Sequence, residues 1–411
     1  MGRHIGFRKR VIRIVSDHPI ESADLEVMEI DCDVPANTLI DQYEVRDGIL
    51  VNKNERVEWS KLRVAFVGVY HERCGIATYS EALWPEIGKY VGEWRIFCED
   101  GTASDDARIV PCWTRGQSLS GLVGQIKDFQ PDVVMIQHEY GIFPDARHWL
   151  ALMSNLRDFR VLVTMHSIYR HRDKTIVEAA TPEIIVHTTL ARDVLKNEKK
   201  VPGSVHVIPH GCFPCSSADK LWNLYRSSHT FMQFGFGFRY KSWEVPIRAV
   251  ALLKDRYPDV FFTGLFSESP HSLVEHRIYA DELHELINSL GVADHVALIR
   301  GYQSDETLQS YLRTNQVAVF PYVNSVGHEV FGCSGAARLA MSTGIPVIAS
   351  RVPHFHDLEG VCPRITAPEE LADTLGQLFQ DRAAHAAQIK KQNAFLIENS
   401  WDAVAKQYLM L

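Results

Sequence analysis

No stretch of this sequence approaches the roughly 20 consecutive apolar residues that a membrane-spanning helix needs. Basic residues are in deficit, 43 Lys and Arg against 51 Asp and Glu, for a formal net charge of −8. That balance gives no support to a broad nucleic-acid-binding surface. The eight cysteines are scattered and do not form a disulfide framework. Cys212 and Cys215 make one C-x-x-C, but a structural zinc site needs a second ligand pair at suitable spacing and none is evident. Reduced thiols in a cytoplasmic protein are the expectation. There is no short repeat and no low-complexity segment. The basic start, MGRHIGFRKRVIRIV, lacks a signal-peptide apolar core. Its arginines and Lys9 read as a solvated face beside a strand; the alternative is peripheral contact with anionic lipid or an anionic acceptor.

What is present is a soluble globular composition, 46% apolar and 23% charged over 411 residues, enough for two or three domains. The most informative segment is FGCSGAARLAMSTGIPVIAS at 331–350. Ser334 is placed to cap a helix start. Gly335, Ala336 and Ala337 are small enough to let an anion approach the free N–H groups and the positive end of the helix dipole. Gly344 sits where a left-handed terminating residue belongs, and Pro346 stops the helix before a buried strand. An ordinary packed helix with small residues facing a neighbour is the competing reading.

Three regions separate along the chain. Residues 1–60 carry short β-like runs at Val11 to Val15 and Leu25 to Ile30 and a turn signal at Arg46-Asp47-Gly48, predicting a small β-rich extension. From Leu62, LRVAFVGVY is a continuous apolar run of the kind buried on both faces of a parallel sheet. A helix-like stretch from Ala77 to Val91 follows, then strands at 94–98, 133–137, 160–165, 184–188 and 206–209 with helical segments between several of them. The alternation restarts near Thr230, with strands in FMQFGFG, FFTGLF, HVALI, AVFPY and PVIAS. The predicted fold class is α/β: two doubly wound Rossmann-like domains facing a cleft, at 61–215 and 216–395, preceded by the extension and closed by a terminal helix at 396–411.

Ligands in such sheets bind at the carboxyl ends of strands, so candidate chemistry is sought there. After the first strand, the loop with Gly75 has one glycine and not G-x-G-x-x-G, which argues against a nicotinamide enzyme. His138 and Glu139 end one strand and His166 the next; the two histidines are placed to reach one cleft. Ile208 to Gly211 reads mainly as a turn. In the second domain Arg239 and Lys241 follow the Gly235-Phe236-Gly237 turn, on the same side as the Ser334 helix. Two cations and a helix N-terminus are what a diphosphate leaving group needs as charge develops on it.

Six segments in order resemble the retaining family-4 glycosyltransferases of GT-B fold, the glycosyl transferases group 1. They are CGIATY at 74–79, QHEYGIF at 137–143, TMH at 164–166, VIPHG at 207–211, Lys241 after its glycine turn, and SGAARLAMSTGIPVIAS at 334–350. The resemblance covers about residues 62–411. It implies an acceptor-side first domain, a second domain for the nucleotide sugar and a terminal helix crossing back to the first. It implies Gly75, Ser334, Gly335 and Ala336 at the donor phosphates, His166 near the transferred sugar, and Lys241, with Arg239, neutralising the diphosphate. His138, Glu139 and Glu329 become candidates for contacts with the donor sugar or acceptor. No cofactor and no metal are implied; the donor is a substrate, with UDP or GDP as the expected nucleotide.

One departure stands out. Relatives often carry two glutamates eight positions apart, and the corresponding positions here are Phe331 and Leu339. The function implied is transfer of a sugar, with retention, to a hydroxyl of a glycan, glycolipid or other acceptor, as in polysaccharide biosynthesis. Its partners are then a nucleotide sugar and a glycan or lipid-linked acceptor, and no nucleic acid. A degenerate GT-B protein that binds nucleotide sugar or glycan without catalysis is the alternative.

Overall fold

A computed structural model of the chain describes residues 43–46, 49–52, 59–172, 183–215, 229–269, 272–324 and 329–411. The chain divides into two compact units, Met1–Trp59 and Ser60–Leu411. In the first, β1 (Tyr43–Arg46) pairs antiparallel with β2 (Ile49–Asn52), from Tyr43 opposite Asn52 to Arg46 opposite Ile49. The predicted strands at 11–15 and 25–30 lie outside the described residues.

The second unit holds two parallel sheets. The first contains β3 (Arg63–Val67), β4 (Glu93–Glu99), β5 (Ile109–Trp113), β6 (Val133–His138), β7 (Arg160–Met165), β9 (Glu183–Val186) and β10 (Ser204–Val207), in the order β10-β9-β7-β6-β3-β4-β5. Val64 to Val67 and Val133 to His138 are buried without interruption, because helices cover both faces of a doubly wound sheet. The chain runs outward from β3 to β5 and then returns to β6, so the order reverses between β3 and β6. Loops diverge at such a switch point and leave a crevice beyond the strand ends. Here those ends carry the loop into helix α1 (Gly75–Gly88) and the pair His138-Glu139.

The second sheet repeats the plan with β11 (Thr230–Phe236), β12 (Phe261–Ser267), β13 (Val296–Arg300), β14 (Val317–Phe320), β16 (Val347–Ser350) and β17 (Arg364–Ile365), in the order β13-β12-β11-β14-β16-β17. Its switch point falls between β11 and β14. Lys241 follows the first of these strands and Tyr322 the second.

Two features join the sheets' domains. β8 (Ser167–Tyr169) pairs antiparallel with β15 (Val330–Gly332), Ser167 opposite Gly332 and Tyr169 opposite Val330. Phe331 of this ribbon is 2% exposed and sits in the first domain's apolar core. The last helix, α11 (Trp401–Leu409), lies against α1, with Tyr408 Oη 2.8 Å from Thr164 Oγ1 and 3.1 Å from Tyr79 Oη. The Tyr90 hydroxyl donates to Asp402 at 2.6 Å. No helix among the described residues is long and apolar enough to cross a membrane. The described cysteines are all free thiols.

Candidate active site

Helix α8 (Gly335–Ser342) begins as its sequence predicts. Ser334 has extended backbone angles and its Oγ accepts from the Ala337 N–H at 3.2 Å. Gly344 ends the helix at φ +80°, the left-handed conformation that favours glycine. Gly335 faces His210: a Cβ there would lie 3.4 Å from Nε2. The N-terminal turn is held from below by Arg338, whose Nη1 donates to the Ser334 carbonyl at 3.0 Å while Nη2 is ion-paired with Asp357.

Lys241 closes a short 3-10 turn after β11. Gly235 is required there, because it has φ +130° and a Cβ would sit 2.5 Å from the lysine Nζ. The ammonium lies 5.5 Å from the Tyr322 ring centroid, and Tyr322 in turn hydrogen-bonds the Ser334 side chain. Lys241 is 8% exposed, not the solvated cleft residue its position suggests. Burial pushes its pKa down to about 8, and among the described residues no carboxylate pairs with it. An unpaired cation held out of water beside a helix N-terminus is a strong attractor for an anion.

Arg239 does not join it. Its guanidinium makes two 2.7 Å hydrogen bonds to Glu282 and lies 4.6 Å over the Tyr279 ring. Two residues along a three-residue-per-turn helix point to different sides, so the two cations separate. His354, after β16, belongs with Lys241; burial and then the lysine charge lower its pKa to about 4, and its ring is 5.5 Å from Tyr322.

On the first domain, His166 follows β7 and its Nε2 is 2.8 Å from Gln137 Oε1. His138 goes elsewhere. It is 2% exposed, with its ring against Trp149 at 4.6 Å and Phe143 at 5.8 Å. Successive strand residues face opposite sides of a sheet, so Gln137 and not His138 meets His166. Glu139 accepts from the Tyr140 N–H at 3.1 Å, and burial raises its carboxyl to about 7. Glu329 stands at the ribbon, 3.6 Å from Arg170 of the opposite strand's end. Gly75 opens α1 behind an extended Cys74, and a Cβ at Gly75 would meet nothing within 4 Å. Ala336 follows Gly335 on the first turn of α8 and is half-buried.

His187, which follows β9, lies in none of the six segments of family resemblance, and the His210 segment reads in sequence as a turn. Both lie buried around Tyr79, whose ring centroid is 4.7 Å from His166, 5.3 Å from His187 and 4.9 Å from His210. The strand-end rule that located His166 points equally to His187. Trp401 completes the cluster 5.0 Å from Tyr79.

These histidines predict acid lability. Burial holds His187 and His354 at about 4 and His138 at about 3, below the 6.5 of an unfolded chain. Between those values the unfolded chain binds more protons, so their contribution is complete above pH 6.5 and falls as pH drops toward 4. Urea midpoints should decline steeply from pH 6.5 to 4.5; a flat profile would show these rings already charged in the folded protein.

Residues 233–381, the body of the second domain, match the family model Glycosyl transferases group 1. The chain resembles this family. D-inositol 3-phosphate glycosyltransferase of Corynebacterium urealyticum is 29% identical over 178 residues, 42% of this chain and 40% of that protein. The aligned stretch thus spans less than half of the relative's length. Among solved structures, Anabaena HepE with UDP superposes at TM-score 0.64 with 14% identity, covering 85% of this chain and 99% of that one. Sucrose-phosphate synthase of Thermosynechococcus elongatus gives 0.63 with 16% identity over 85% and 98%. A trehalose-phosphate synthase of Burkholderia xenovorans with glucose-6-phosphate gives 0.65 with 12% identity over 85% and 99%. The fold is GT-B, two Rossmann-like domains, as the group 1 resemblance implies.

Proposed function

We propose that the chain is a metal-independent, retaining glycosyltransferase that moves a hexose from a nucleotide sugar to an acceptor hydroxyl. The observation that carries this reading is Lys241, buried with no counter-ion among the described residues and linked through Tyr322 to the capped N-terminus of α8. A donor diphosphate supplies the missing negative charge. As the glycosidic bond to phosphate breaks, charge grows on the leaving oxygen, and a desolvated ammonium with free helix N–H groups stabilises that charge more than the ground state. Front-side attack, in which the departing phosphate takes the acceptor proton, accounts for retention without a protein nucleophile.

HepE bound to UDP supports UDP as the nucleotide, with GDP the alternative, and a D-inositol 3-phosphate glycosyltransferase as relative supports a hydroxylated acceptor such as a sugar, glycan or glycolipid. Domain limits of 61–215, 216–395 and 396–411, a cytoplasmic site of action and peripheral membrane contact belong to the same reading. A second reading, a binding protein without catalysis, draws on Leu339, half-buried against the second domain's core where relatives often have a ribose-binding glutamate.

Acceptor-free hydrolysis of UDP-, GDP- and ADP-sugars, with thermal shift for each, decides between them. At least one donor should be hydrolysed and should raise the melting temperature. Stabilisation without turnover, here and with an acceptor panel, would favour the binding protein, and neither effect would overturn both.

A further inference from the structure

Four groups form an unbroken line behind the first domain's strand ends. The Ile208 carbonyl lies 3.0 Å from His187 Nδ1, His187 Nε2 lies 3.4 Å from His166 Nδ1, and His166 Nε2 lies 2.8 Å from the Gln137 side chain. His187 is 3% exposed and Gln137 is 1% exposed, so water does not substitute for these contacts.

The protons can be counted. Burial keeps His187 and His166 neutral, and the charges acting on His187, Arg338 and Asp357, are paired with each other. A neutral imidazole carries one N–H. A carbonyl only accepts, so the His187 proton is on Nδ1 and its Nε2 is a bare lone pair. Two lone pairs cannot face each other, so His166 must place its own proton on Nδ1. Its Nε2 is then an acceptor, so the Gln137 amide, placed with Oε1 2.8 Å from that nitrogen, must be turned over to present its N–H instead, the two ends differing only by a flip of the side chain.

We infer that His187 is a positioning residue: with Gln137 it clamps both ring nitrogens of His166 and fixes it as the Nδ1–H tautomer. His166 accordingly presents a fixed, uncharged ring to the cleft and neither donates nor takes a proton while clamped. Loss of His187 frees His166 Nδ1 and lets the ring turn or change tautomer. The role in turnover rests on the glycosyltransferase reading; the tautomer does not.

The test has two arms. In 15N-histidine spectra of the full chain, with the His166 signal identified by its loss in His166→Gln, both His166 and His187 should show a protonated Nδ1 and a bare Nε2. His187→Leu should move His166 away from that pattern. His187→Gln, whose side-chain oxygen can still accept from His166 Nδ1–H, should preserve it. A wild-type His166 protonated on Nε2, or one indifferent to both variants, overturns the inference. In donor hydrolysis, His187→Leu should lose roughly three- to tenfold in kcat, the worth of one neutral hydrogen bond, with KM held and with His187→Gln recovering most of the rate. Equal rates in all three proteins with matched melting temperatures overturn the positioning role. Should the wild type turn over no donor, the glycosyltransferase reading fails alone, and the spectra still decide the tautomer. Should His187→Leu not fold, His187→Gln against wild type decides: its His166 must keep the protonated Nδ1.

Discussion

Replacing Lys241 by methionine is expected to raise the melting temperature while removing donor turnover. The two effects have one cause. Burial lowers the Lys241 pKa from 10.5 to about 8, so at pH 7 the folded state holds a charge that the unfolded chain solvates better. At about 1.4 kcal/mol per unit, that charge destabilises the fold by roughly 3 kcal/mol at most. Methionine fills similar volume without a charge and should recover a large part of it, shifting the melting point by several degrees. The advantage should shrink as pH rises from 8 toward 10.5, because the lysine then sheds its proton in the folded state first. Turnover should fall by roughly a hundredfold or more, the usual loss when a group aimed at developing charge is removed. A variant that is less stable would mean Nζ has a counter-ion in the folded protein. One that is more stable but fully active would place the diphosphate elsewhere.

How much of this was legible in the sequence varied with how local the cause was. β3, β6, β7 and β11 are long apolar runs because both faces of each are covered, so composition alone marks them. β5 was missed: Ile109–Trp113 contains Pro111 and is largely half-exposed, tolerable only because it is the sheet's edge. The ribbon of β8 and β15 is three residues from each domain and owes its existence to their meeting. The cap at Ser334 and the stop at Gly344 depend on neighbours within a turn and were readable as written. Side-chain direction was harder. No local signal shows Tyr322 closing over Lys241, and Arg239 looked like its companion because its partner Glu282 is 43 residues away. His138 and His166 looked equivalent until alternation along β6 set His138 into the core.

The second large effect has the opposite sign and a site close to the first. Asp357→Asn should destabilise the fold by about 3–5 kcal/mol, the cost of leaving one member of a buried ion pair alone. Arg338 is 2% exposed. Of its nitrogens, Nη2 meets Asp357, Nη1 meets the Ser334 carbonyl at 3.0 Å, and Nε has no partner among the described residues. An asparagine oxygen can still accept a hydrogen bond but offers no charge, so the guanidinium would stay desolvated and uncompensated. Cys333 Sγ, 3.5 Å from the same Asp357 oxygen, would donate to a neutral acceptor in place of a carboxylate. Urea unfolding should show a lower midpoint at unchanged slope; a loss under 1 kcal/mol would mean water reaches Arg338. Replacing both partners, Arg338→Met with Asp357→Leu, should cost much less, because apolar groups can substitute for a buried pair far better than either ion tolerates being left. The same double variant tests what the pair is for. With its carboxylate in place Arg338 is neutralised and cannot also serve an incoming anion; it braces the Ser334 turn. Among the described residues Lys241 has no such partner, and the contrast between two buried cations around one helix start is what separates scaffold from binding charge. The double variant should therefore keep measurable donor affinity where Lys241→Met loses it.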